Sequence, residues 1–133
     1  MPKVVSMTVP GEPEFIQVIK IAAGSAASLT GFDMEAVEDI EMAVAEAAKN
    51  ITCHGSEHWC KCYDMIIQFK EPEMTIEIKA SADCHTIKKN CSPCMDCPNE
   101  GNLGIAVIKS LMDKVEINND ENGNKSIIMV KNI

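Results

Sequence analysis

The order of apolar and polar positions divides the chain into short β-like runs and longer helical ones. Lys3-Val4-Val5-Ser6-Met7-Thr8-Val9 is β-rich and stops at Pro10-Gly11, which predicts an edge strand followed by a turn. Pro13 stands where a helix can begin. Phe15, Ile19, Ala22, Ala26 and Leu29 then recur at steps of three and four, the stripe of an amphipathic helix that closes near Gly31. Gly24, Ser25 and Ala26 are small, so a neighbouring element can come close to this helix. Asp33 is the expected N-cap of a second helix. Its apolar face is Val37, Ile40, Val44, Ala47 and Ile51, and the pattern breaks at Cys53-His54-Gly55-Ser56.

Two β-like runs follow, Cys62 to Phe69 and Met74 to Ala80, joined through Glu71-Pro72-Glu73 as a hairpin. Residues 81 to 100 carry almost no apolar period. A connection of that length inside one domain predicts a lid or binding loop. Gly101-Asn102-Leu103-Gly104 then leads into a helix over Ile105 to Met112. Lys114 to Ile117, the turn Asn122-Gly123-Asn124 and Ser126 to Lys131 form a second hairpin. There is no internal repeat. This order predicts an α+β fold, a two-layer sandwich with helices packed on one face of a mixed, mostly antiparallel sheet.

Composition narrows the picture. The 133 residues suit one domain over 1–133 and leave no room for a second core. Hydrophobic residues are 46% and charged residues 24%, a globular balance. The formal net charge of −8 repels a polyanion, so neither direct nucleic-acid binding nor an anionic membrane surface is expected. No apolar run approaches the roughly 20 residues of a spanning helix, and the N-terminus has no signal-peptide core. The expected compartment is the cytoplasm, where thiols are reduced. The seven cysteines, four of them within 14 residues, then point to metal or redox chemistry ahead of disulfides. Trp59 and Tyr63 are read as packing residues, and most of the nine Met as core filler.

On the second helix, Asp39, Glu46 and Asn50 fall together, about 120–160° from the centre of the apolar face. Glu46 and Asn50 are i and i+4, hence surface neighbours. A carboxylate beside an amide suits a hydrated Mg²⁺ and a general base; a solvated polar face has the same pattern. Gly101-x-x-Gly104 opening a helix lets backbone N–H groups approach a phosphate at a helix N-terminus. It also reads simply as a flexible loop exit.

Taken in order, these segments resemble a known family. The run Glu38-Asp39-Ile40-Glu41-Met42-Ala43-Val44-Ala45-Glu46-Ala47-Ala48-Lys49-Asn50-Ile51-Thr52-Cys53-His54 resembles the Asn-containing box of the histidine-kinase-like (GHKL) ATPases. It is most similar to the anti-sigma factor serine/threonine kinases. Gly101-Asn102-Leu103-Gly104-Ile105 and the helix behind it resemble their second glycine box. The resemblance implies an ATP- and Mg²⁺-binding α/β sandwich, usually a homodimer. Such a protein holds a sigma factor and phosphorylates a serine on an anti-anti-sigma (STAS-type) partner, and so regulates transcription. Carried over by position, Asn50 ligates Mg²⁺, Glu46 is the base or water orienter, and Gly101 and Gly104 contact the phosphates. Asp39 matches a favoured position without an assigned step.

The chain departs from that family in one stretch. Where the family has Asp-x-Gly, the Asp accepting from the adenine amino group, stand Ala80-Ser81-Ala82. Losing such an acceptor weakens base recognition by roughly 1–3 kcal/mol. Asp83 is the nearest carboxylate, delivered only if a bulge brings it back. The lid at 81–100 carries Cys91-x-x-Cys94-x-x-Cys97-Pro98, which resembles part of a ferredoxin ligand run and needs a fourth Cys, nearest in sequence Cys84. Zinc is the competing metal, with His54, His58 and His85 available to complete a site. Cys53, Cys60 and Cys62 form a second cluster, read foremost as reduced, partly buried thiols. The alternative function is therefore a degenerate GHKL-fold regulator whose cysteine lid binds an Fe–S cluster or zinc.

Overall fold

The computed structural model describes residues 3–51, 62–80, 97–119 and 125–133. Strand β1 (Lys3–Pro10) leads through a 3-10 turn at Pro13–Phe15 into α1 (Ile16–Leu29) and α2 (Met34–Ile51). The hairpin β2 (Cys62–Lys70) and β3 (Glu73–Ala80) follows, then α3 (Cys97–Leu111) and the pair β4 (Lys114–Asn119) and β5 (Lys125–Asn132). The five strands form one sheet in the order β1-β2-β3-β5-β4, every neighbouring pair antiparallel. β1 is an edge strand, as its pattern implies.

Strict alternation decides which face of the sheet is covered. On β2, Tyr63, Met65 and Ile67 are buried, while Asp64 and Ile66 between them are only partly so. In register beside them lie Ile78 and Ile76 on β3, then Ile127 and Met129 on β5. The helices cover this face. α2 is the central element, touching α1, α3, β3 and β5. Its buried arc, Ile40, Ala43, Val44, Ala47 and Ala48, is wide because neighbours close in on several sides. Alanine at three of those positions lets the flanking helices approach. Each fully buried isoleucine of the shared core contributes about 1.5–3 kcal/mol.

The ends of α1 and α2 are set locally. Gly31 has φ +97°, a left-handed conformation that suits glycine. The Phe32 N–H reaches back to the Ala27 carbonyl at 3.4 Å, a Schellman-type close, and Phe32 is buried just beyond it. Asp33 then caps α2: its Oδ1 accepts from the Ala36 N–H at 2.8 Å, and its carbonyl from the Val37 N–H at 2.9 Å. The Phe32 ring meets Phe69 of β2 edge-on at 6.5 Å, tying the inter-helix turn to the sheet.

Three details differ from the sequence reading. The buried side of α1 is Ile19, Ala23, Gly24 and Ala27, whereas Leu29 is 84% exposed. The small residues face α2 because that contact is close, which turns the larger Leu29 out. The helix expected to follow Gly104 begins earlier, at Cys97, so Gly101 and Gly104 lie within α3 and do not precede it. Pro98 sits in the first turn, where a missing N–H costs nothing. Cys62 is disulfide-bonded, where reduced thiols were expected. Among the described residues no helix is long and apolar enough to cross a membrane.

Candidate functional site

The polar arc of α2 does not face open solvent along its whole length; α3 runs beside it in the opposite direction. Near the C-terminal end of α2, Gly104 of α3 lies directly against Glu46 and Asn50. A Cβ added at Gly104 would stand 3.4 Å from Glu46 Oε2 and 3.5 Å from Asn50 Nδ2. The backbone of α3 therefore meets a carboxylate and an amide with no side chain between. Glu46 keeps 29% of its side-chain exposure, so a ligand can still reach it. Lys49, one turn on, sits 3.6 Å from Glu46 Oε1 and is half exposed.

Two turns towards the N-terminus of α2, Asp39 lies on the same arc. Its Oδ2 is 3.6 Å from Lys131 Nζ, and Lys131 donates to the Leu111 carbonyl at 2.5 Å. Lys131 reaches inward from the end of β5, at the position paired with Met74. It is 16% exposed. Leu111 is the last residue of α3, so its carbonyl lacks an intrahelical partner and a cation there also opposes the helix dipole. Sequence reading left Asp39 without a step; its partner is 92 residues away, beyond the reach of any periodicity.

The expected site residues thus fall into two groups. Glu46, Asn50 and Gly104 are brought together. Gly101 lies on α3 one turn before Gly104, with its surroundings outside the described residues. Asp83, Cys84, Cys91 and Cys94 lie outside the described residues altogether, as does the side chain of Cys97. The same holds for Cys53, His54, His58, Trp59, Cys60 and His85. Among the described residues no group of three or more His, Cys, Asp or Glu is arranged to hold a metal.

The architecture is a helical layer over an antiparallel sheet, with an Asn/Glu pair on one helix facing a glycine on the next. The family model of the histidine kinase-like ATPase domain matches residues 9–131, and the chain belongs to that family. Its relatives narrow the comparison. The serine-protein kinase RsbW of Halalkalibacterium halodurans is 30% identical over 127 residues, covering 90% of this chain and 78% of the relative. The RsbW of Oceanobacillus iheyensis is 32% identical over 125 residues, covering 86% and 78%. That of Bacillus subtilis is 28% identical over 125 residues, with the same coverage.

Proposed function

We propose that this chain is an ATP-binding, serine-kinase-like regulator of the anti-sigma type, with Glu46, Asn50 and Gly104 at its nucleotide site. The observation that carries the reading is the slot at Gly104, which a single Cβ would fill. A phosphate chain needs a donor and close approach: the Asn50 amide supplies the donor, and Gly104, inside α3, leaves the approach clear of a side chain. The residues suit Mg²⁺ as well, since that ion favours oxygen ligands and keeps several waters. Asn50 would hold it through its amide oxygen. When bound, Mg²⁺ offsets the negative charge of the phosphates and orients them.

The remaining work falls to the chain itself. Glu46 accepts a proton from, or orients, the attacking hydroxyl of a partner's serine. Gly104 keeps the slot open. The kinase name of the relatives, with 78% of their length covered, supports the same chemistry here. On this reading the partners are a sigma factor and a STAS-type anti-anti-sigma protein, and the working unit is a homodimer of the single domain.

A transfer assay tests this. The full chain is incubated with γ-labelled ATP, Mg²⁺ and a cognate STAS-type protein. Label on a serine of the partner, lost with Glu46→Gln, is the expected result. An unlabelled partner together with a wild-type chain that retains no ATP would overturn the reading.

A further inference from the structure

We propose that Lys131 is a positioning residue that holds α3 in register along α2, so that Gly104 faces Glu46 and Asn50. The proposal rests on the reading of those three residues as a nucleotide site, and deepens it.

The geometry is that of two antiparallel helices joined at two levels. Asp39 and Glu46 are seven residues apart on α2, and Leu111 and Gly104 are seven apart on α3. At one level Gly104 meets Glu46 and Asn50 directly. At the other, Lys131 bridges Asp39 Oδ2 at 3.6 Å and the Leu111 carbonyl at 2.5 Å. The bridge therefore sets the axial position of α3 two turns away from the slot.

The clasp does not depend on one contact. Asp113, just past α3, donates its N–H to the Val130 carbonyl at 2.9 Å, and its Oδ2 accepts from the Asn132 N–H at 2.6 Å. Three consecutive residues at the end of β5, 130–132, thus grip the C-terminal end of α3. Of these grips, only the Lys131 bridge also reaches α2. Without it, α3 stays attached to the sheet, but nothing polar among these contacts ties its height to α2.

That height matters because the space between Gly104 and the Glu46/Asn50 pair holds no more than a single Cβ in ordinary contact. One turn along α3 stands Ile108. A slip of one helical turn, about 5.4 Å, would bring a branched side chain against Glu46 and Asn50. Smaller shifts already move the Gly104 backbone away from the pair. The bridge thus acts on the site through α3 and touches no ligand itself.

The test compares wild type with Lys131→Met and Lys131→Arg in the full chain, using two readouts. One is the backbone amide resonance of Gly104 without ligand, assigned by its absence in Gly104→Ala. The other is ATP·Mg²⁺ affinity by calorimetry. Lys131→Met is expected to shift the Gly104 resonance and weaken affinity about tenfold, a typical size for coupling through packed elements. Lys131→Arg, which still donates to Leu111 and pairs with Asp39, is expected to restore both. An unmoved Gly104 resonance in a folded Lys131→Met overturns the proposal, whatever the affinity. A shifted resonance in a chain whose wild type binds no ATP overturns the nucleotide reading and upholds the positioning role. Should Lys131→Met fail to fold, Asp39→Asn keeps the Leu111 contact and is expected to shift the same resonance; no shift there overturns the proposal too.

Discussion

Gly104 of α3 stands so close to Glu46 of α2 that a methyl group on it would sit 3.4 Å from Glu46 Oε2. That distance is ordinary contact, not a clash, so Gly104→Ala can fold. Replacing a mid-helix glycine by alanine gains roughly 0.5–1 kcal/mol in helix propensity. We expect Gly104→Ala to melt at the same temperature as wild type or higher, while losing about tenfold or more in ATP affinity. A thermal melt alongside a binding titration separates the two effects. Loss of affinity with loss of fold would mean that the glycine serves packing alone.

Gly24 gives the opposite expectation. A Cβ there would fall 2.6 Å from both Cγ and Cδ of Glu41, closer than atoms pack. The Glu41 side chain must turn aside to admit a methyl, at a cost of about 0.5–1.5 kcal/mol that offsets the propensity gain, so Gly24→Ala should lose up to about 1 kcal/mol. Urea denaturation reads this directly. The double variant Gly24→Ala/Glu41→Ala removes the obstructing side chain and should recover most of the loss.

Asp33 accepts from the Ala36 N–H at 2.8 Å, and it is exposed. Asp33→Ala leaves the first turn of α2 with an unsatisfied donor and should cost about 1 kcal/mol. Asp33→Asn should cost a few tenths. Chemical denaturation midpoints with unchanged m-values check both. Equal losses for the two substitutions would show that charge, not the hydrogen bond, matters at this cap.

How much of this was legible in the sequence depends on whether the signal is local. The limits of α2 were, because Asp33 is a capping residue and Ile40, Val44 and Ala47 keep helical period. So was the edge position of β1 and the hairpin across Pro72. The start of α3 was not: Cys97, Pro98, Asn99 and Glu100 carry no apolar stripe, and a glycine pair reads as a helix breaker. Pro98 was the available signal, since proline favours a first turn. Of the α1 stripe, Ile19 is buried and Phe15, Ala22 and Ala26 pack against the core; only Leu29 is turned out, because alanine and leucine weigh alike in a periodicity count whereas a close helix contact selects the smaller.

The site divides in the same way. Glu46 and Asn50 stand out as an i, i+4 pair on the polar arc of one helix. Their meeting with Gly104 is tertiary, and it was reached through a resemblance spanning the chain, not through spacing. The Lys131–Asp39 pair is carried by nothing local at all. It follows from β5 lying beside β3 under α2, which puts the end of the last strand next to the start of that helix.

The most direct measurement of the central claim is a calorimetric titration of the chain with ATP·Mg²⁺, run on wild type and on Asn50→Ala. The account predicts saturable heat for wild type, and its loss in Asn50→Ala without a fall in melting temperature. No heat for wild type at millimolar nucleotide, or equal binding by Asn50→Ala, would contradict it.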